Sequence, residues 1–271
     1  ELEVQEAGPR LIVSTQQGDT VERADFNLHG LEVMASRFIH ALYKRGVDEL
    51  QLSFDKPDVL ELVKASLGKE TVGFEITDQS RTSCIVRNVS GELEEFDSIL
   101  RRTFLILNSM AKDCYDELSA GTFSHLKNVA LLEEANNRFT TACRRLVNKR
   151  GSEKYDKIGP LYYILEELEN LADQYKYLCT YMAKNGKGKL HPDSLEMLKT
   201  ANEVVDTYYH LFYKFDKDAL EKIGKGRKDI VKKFYHIIEN VGKGYSSQDI
   251  VVAHNALNIA RDGALDGNGS L

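Results

Sequence analysis

Three carboxylates lie close together in one stretch of the chain: Glu166, Glu169 and Asp173, within Leu168-Glu169-Asn170-Leu171-Ala172-Asp173. Glu169 and Asp173 are four residues apart, so on a helix they share a face, and Glu166 sits one turn earlier on it. Like charges at that spacing cost a few tenths of a kcal/mol in an isolated helix, and a bound cation would offset this. Hard cations take oxygen ligands, so the pattern suits a metal ion such as Fe, Zn, Mn or Mg. The competing reading is a solvated acidic face, with Lys176 neutralising Asp173. A polar run, Glu133-Glu134-Ala135-Asn136-Asn137-Arg138, interrupts the preceding helical segment. It either faces this acidic stripe or lies on the surface.

A second cluster is basic: Lys222, Lys225, Arg227, Lys228, Lys232 and Lys233. It is a candidate surface for an anionic partner, against the plainer reading of a solvated helix face. Gly224 and Gly226 weaken a helix there by roughly 1 kcal/mol each and suggest a kink. The seven histidines are scattered. No H-E-x-x-H, G-x-S-x-G, Walker A or G-x-G-x-x-G pattern occurs. The residues therefore point to binding and not to catalysis. The four cysteines form no C-x-x-C pair and read as buried free thiols of a cytoplasmic protein.

The elements that must position these residues change character near Asn88-Val89-Ser90-Gly91. Before it, Leu2-Val4 and Leu11-Val13 flank Gly8-Pro9 as a hairpin. Leu31–Arg45 has helical spacing and is stopped by Gly46. Glu49–Phe54 alternates as a strand, Pro57 opens a helix to Leu67, and Val72–Ile76 and Thr82–Val89 read as two further strands. Together these predict a small sheet with two helices on one face. After the boundary come six helical segments: Leu93–Leu118, Phe123–Lys149, Tyr155–Ala183, a fourth beginning at Pro192, Ala219–Val241 and Ser247–Leu265. Short loops between long helices are the pattern of a bundle. The linker Asn185-Gly186-Lys187-Gly188-Lys189 divides them into two sets of three. The fold class is mainly α: a six-helix bundle of two three-helix repeats behind a small α/β domain. The divisions are 1–20 (hairpin), 21–90 (α/β), 91–186 (first repeat) and 187–271 (second repeat).

The net charge of −6 argues against bulk nucleic-acid binding. No apolar run of about eighteen residues exists, so an integral membrane protein is not expected. The chain does not begin with Met, and a segment upstream is expected.

This organisation resembles the PhoU family, phosphate-uptake regulators built of two three-helix repeats. The family's signature on the third helix of each repeat reads roughly L-E-R-I-G-D-H-A. Leu168 to Tyr175 resembles the first copy, and Leu257-Asn258-Ile259-Ala260-Arg261-Asp262-Gly263-Ala264 the second. The acidic E-x-x-x-D pair is intact at Glu169 and Asp173, whereas Asn258 replaces the glutamate in the second copy and leaves Asp262. The arginine after the glutamate is missing in both. The N-terminal hairpin resembles the last hairpin of an AbrB-like DNA-binding unit, as carried by archaeal members. The segments Ala41–Leu50 and Gly73–Gln79 resemble their α/β domain. The resemblance implies metal clusters at the E-x-x-x-D motifs. It implies regulation of phosphate uptake through a phosphate transporter, its regulatory kinase or transcription machinery. DNA contact would come only through an AbrB-like segment largely missing here, and such hairpins imply a homodimer. Two other readings remain open: a carboxylate-bundle metal scaffold or enzyme, though it lacks the Glu-x-x-His pairs of di-iron bundles, and a structural interaction module with no ligand.

Overall fold

The computed structural model describes residues 2–7, 10–15, 21–89, 96–150 and 158–263. The chain forms two compact units, one of residues 1–67 and 73–90 and the other of 68–72 and 91–271.

In the first unit, β1 (Leu2–Ala7) and β2 (Arg10–Thr15) pair antiparallel, with Val4 opposite Val13. A separate four-stranded sheet runs in the order β3-β4-β6-β5. It comprises β3 (Arg23–Asn27), β4 (Glu49–Ser53), β5 (Phe74–Gln79) and β6 (Ser83–Asn88). β3 was not foreseen from the sequence. It pairs parallel with β4, so the chain must cross over between them, and α1 (Ala35–Arg45) makes the crossing. Gly46 ends α1 at φ 112°, a left-handed conformation in which its N–H reaches the carbonyls of Leu42 and Tyr43. Helix α2 (Asp58–Glu70) runs past Gly68, where the sequence suggests a stop. Burial alternates along the sheet: Leu50, Leu52, Cys84 and Val86 are covered, and Gln51, Ser53 and Arg87 are exposed. The covered face packs with Ile39 and Tyr43 of α1 and Val59 and Val63 of α2 in one core. His40 ties the two helices, its Nε2 lying 3.0 Å from the Ser66 carbonyl oxygen.

Among the described residues the second unit holds six helices: α3 (Phe96–Ala120), α4 (Leu126–Arg150), α5 (Ile158–Asn185), α6 (Pro192–Tyr213), α7 (Lys217–Glu239) and α8 (Ser247–Asp262). α3, α4 and α5 pack on one another, as do α6, α7 and α8. The two trios meet where α3 touches α6 and α5 touches α8. One apolar core runs through both, from Phe104, Leu107 and Met110 to Leu165, Leu168 and Leu178 and on to Val205, Val252 and Ala256. Each fully buried side chain of this size contributes about 1.5–3 kcal/mol. Tyr175 Oη donates to Asn202 Oδ1 at 2.7 Å, and Asn202 Nδ2 donates to the Ala111 carbonyl at 2.7 Å. This chain of bonds joins α5, α6 and α3.

The helix ends have identifiable causes. Asp216 caps α7 by accepting from the N–H groups of Asp218 and Ala219. Ser246 and Asp249 form a reciprocal capping box on α8. The buried Asp249 also accepts from the His191 N–H at 2.7 Å and the Ser194 hydroxyl at 3.1 Å, which ties α8 to the start of α6. The cap of α6 is the His191 ring, whose Nδ1 accepts the Asp193 N–H. α7 is helical through Gly224 and Gly226. A Cβ at Gly226 would lie 3.4 Å from methyl groups of Thr200 and Val204, so its bare backbone lets α7 approach α6. Among the described residues, no helix is long and apolar enough to cross a membrane.

Candidate functional site

Most amphipathic helices turn an apolar stripe to their neighbours, but α4 turns a polar one to α5. Glu133, Asn136, Asn137, Thr140, Thr141, Arg144 and Arg145 are all buried. Every residue from Thr140 to Val147 is buried, which encloses the whole circumference of the helix. The polar run at 133–138 is divided between the two placements its sequence allows: Glu133, joined by Asn137, meets Lys176 of α5, Asn136 Nδ2 donates to the Thr103 carbonyl of α3 at 3.4 Å, and Glu134 and Arg138 are exposed.

Two ionic layers cross the α4–α5 interface. In the first, Lys176 of α5 donates to Glu133 Oε1 at 2.8 Å and Asp173 Oδ1 at 2.5 Å. Asn137 Nδ2 donates to the same Glu133 oxygen at 2.5 Å. Partial burial lowers the Lys176 pKa, but bonds to Asp173 and Glu133 outweigh it and hold the ammonium above its ordinary range. The neutralisation of Asp173 by Lys176 is therefore real, and it extends to a second helix.

The second layer centres on Arg144, whose side chain is 0% exposed. Its Nη1 donates to Glu166 Oε1 at 2.5 Å, and its Nη2 pairs with Glu169 Oε2. Nη2 also reaches Thr140 Oγ1 at 3.2 Å, and Nε donates to the Thr140 carbonyl at 3.3 Å. A guanidinium presents its donors in a fixed fork, which suits two carboxylates one turn apart on a facing helix. An isolated buried charge would be costly, so this arginine persists because both carboxylates answer it.

The four carboxylates expected to bind metal are thus separated. Glu166 and Glu169 converge on Arg144, and Asp173 belongs to the Lys176 layer. Asp262, in the last turn of α8, acts on Glu167, on the other side of α5. Burial, and then the nearby Asp262 charge, raises the Glu167 carboxyl above its usual range. On the same side Asn258 Nδ2 donates to Gln174 Oε1 at 3.3 Å. Among the described residues, no three His, Cys, Asp or Glu side chains gather as a metal-ligand group. The Oδ1 atoms of Asn136 and Asn137 and the Thr141 hydroxyl are buried without a hydrogen-bond partner among the described residues. Such atoms cost about 1–3 kcal/mol each, and polar ligands answer them.

The basic residues of α7 do not act as one group. Lys225 pairs with Glu221 at 2.8 Å and Lys233 with Glu196 of α6 at 2.6 Å. Lys222, Lys228 and Lys232 are exposed and make no ion pair among the described residues. Between α6 and α7 lies an open cleft of about 510 Å³, lined by Glu203, Asp218, Glu221, Lys222, Lys225 and Asp229.

Arg144 escaped the sequence reading. The available signal was Cys143-Arg144-Arg145-Leu146-Val147, two arginines set in an otherwise apolar helical run. Compared with known proteins, the chain matches no family model, and no curated protein or solved structure is significantly similar to it.

Proposed function

We propose that the chain is a regulator that works by binding and not by catalysis, of the kind represented by PhoU proteins in the control of phosphate uptake. The observation that carries this reading is the meeting of the two motif copies. Gln174 of the first copy accepts the amide of Asn258 of the second, across the contact of the third helices of the two trios. Two trios joined through equivalent helices support the reading of a tandem repeat, and the small α/β unit precedes them as in the archaeal arrangement. On this reading the partner is a phosphate transporter, its kinase or transcription machinery, and the signal is a shift between bound and free populations. The test is recovery of the tagged full-length protein from its own cells at high and low phosphate. A phosphate transporter, its kinase or a phosphate-gene promoter should be recovered, in amounts that change with phosphate. Recovery of none of them overturns the reading.

A metal-dependent form of the same reading is favoured by Asn137 Oδ1, a buried oxygen with no hydrogen-bond partner among the described residues, on the side chain whose amide donates to Glu133. There the ion would replace the Lys176 ammonium, and a hard cation such as Mg or Mn suits that oxygen set. Elemental analysis decides it: stoichiometric metal, lost in Asp173→Ala and Glu133→Ala, supports the site, and its absence from the purified wild type removes it.

A further inference from the structure

The two edges of the four-stranded sheet are built differently. β5 carries an irregularity, its register against β6 shifting between Ile76 and Asp78, and a bulge of this kind guards an edge against strand addition. β3 has no such guard: Arg23 to Asn27 pair with Glu49 to Ser53 without a break. The Glu22 carbonyl accepts from the Asp48 and Glu49 N–H groups, and the Leu28 N–H donates to the Ser53 carbonyl at 2.8 Å. Alternate residues of a parallel strand turn their backbone groups to the same neighbour, so Ala24 and Phe26 also serve β4. Arg23, Asp25 and Asn27 turn theirs outward, where they have no backbone partner among the described residues. Ala24 and Phe26 pack into the core under the helices, so the side chains of Arg23, Asp25 and Asn27 lie on the open face. His40 turns one side of α1 to α2, and Phe38 lies on the opposite side, above β3. There Phe38 stacks on Phe26, 4.7 Å between centroids, and Arg45 donates to Glu22 Oε1 from Nε at 3.0 Å and from Nη2 at 2.7 Å.

We propose that β3 pairs antiparallel with β3 of a second copy of this chain, joining the two sheets edge to edge. The seam is separate from the hairpin β1–β2, and it needs neither phosphate nor a regulatory partner. Antiparallel strands exchange hydrogen bonds between residues that both face outward, so Arg23, Asp25 and Asn27 oppose only one another. Opposed residues share a face, so the helices of both copies stand on the same side. Charge then selects the register. Centring the seam on Arg23 sets two arginines against each other, and centring it on Asp25 sets two aspartates; like charges directly opposite are destabilising. Centring it on Phe26 leaves only Asp25 and Asn27 paired. Centring it on Ala24 puts Arg23 of each copy opposite Asp25 of the other, two ion pairs flanking one small residue. Arg23 has the reach for this: its side chain is 71% exposed, with Nε 3.4 Å from Glu49. The same register sets Phe26 opposite the other copy's Glu22. Each Phe26–Phe38 stack then meets the Arg45 guanidinium that this glutamate holds, a cation–π arrangement.

The test is sedimentation velocity of the full chain across the micromolar range, where the wild type should dimerise. D25R sets a like charge opposite Arg23, and R23D sets one opposite Asp25, so each should weaken the dimer about tenfold or more. Mixed in equal parts, the two variants should associate with each other as the wild type does, because D25R brings only cations to the seam and R23D only carboxylates. Such a rescue also shows that both variants are folded. D25P tests the backbone independently of charge: the N–H it removes points away from β4, so pairing should be lost while circular dichroism and melting stay unchanged. In hydrogen exchange the Arg23 and Asp25 N–H groups should be slow in the wild type and fast in D25R. The proposal is overturned if the wild type stays monomeric, if the mixed variants fail to associate, or if D25P leaves the dimer intact. It is equally overturned by a dimer that survives both D25R and R23D at full strength, which would place the contact on another surface such as β1–β2.

Discussion

Arg144→Met should show what holds the α4–α5 interface together. The substitution keeps the length and removes the charge, leaving Glu166 and Glu169 without their cation. Breaking a fully buried pair costs about 3–5 kcal/mol. Here the arginine is 0% exposed, but Glu169 and Glu166 are 22% and 40% exposed and can recover part of their hydration. The loss should therefore sit near the lower bound, about 3 kcal/mol. Glu169→Gln keeps an acceptor oxygen, and Glu166 still answers the arginine, so its cost should be about 1–2 kcal/mol. The double variant should lose less than the sum of the two by about 1 kcal/mol or more, since either change alone already breaks the shared contact. Urea unfolding followed by circular dichroism measures all three. Strict additivity, or a loss below about 1 kcal/mol for Arg144→Met, would refute the reasoning. If Glu169→Gln costs as much as Arg144→Met, and a chelator reproduces that loss in the wild type, a metal and not Arg144 holds Glu169.

Asp249 should give the bundle an acid limit. Burial raises its pKa, but hydrogen bonds from the Ser246 hydroxyl, the backbone N–H groups of His191 and Ser246 and the Ser194 hydroxyl outweigh this and hold the carboxyl below its usual range. Its contribution is full above the unfolded value of about 3.9 and is lost as pH falls through the folded value. Asp249→Asn should therefore cost about 2 kcal/mol at neutral pH, and the gap to wild type should close in acid, as read by urea titrations across pH. The glycines separate by site. Gly224→Ala meets nothing within 4 Å and should gain about 0.5–1 kcal/mol, whereas Gly226→Leu should push α6 away and lower the melting temperature. Gly186→Ala places its Cβ 2.5 Å from the Phe123 ring and the Met182 carbonyl, and should destabilise. The cysteines should stay silent to a thiol reagent until the protein unfolds. Burial pushes the Cys84 thiol up to about 11 and Cys143 further still, and a hydrogen bond to Cys179 together with burial does the same to Cys114.

The parts of this fold that the sequence discloses are those with a strong period. The stop at Gly46 stands where the spacing puts it, and the six bundle helices begin within a few residues of expectation. β3 was hidden because Arg-Ala-Asp-Phe-Asn carries only two apolar residues, an edge strand with one modest face. The carboxylates were legible as a group because they repeat along one helix. Their partners were not, because Arg144 and Glu133 belong to a different helix, and the register of two antiparallel helices is a tertiary fact. The sequence also cannot say on which side of α5 a charge lies relative to its neighbours, and this is what sends Asp262 to Glu167 and leaves Glu169 to Arg144.

The Tyr175–Asn202–Ala111 chain has a mechanical consequence. Asn202 spends its oxygen on one helix and its nitrogen on another, like a key seated in two shafts at once. Sliding α6 by one turn, about 5.4 Å, would break both bonds inside the core and offer neither group a replacement. Both bonds thereby oppose the ratchet motion by which packed helices often transmit a signal. A shift of register therefore carries the loss of both bonds, about 1–3 kcal/mol each, which a tilt of the whole body does not.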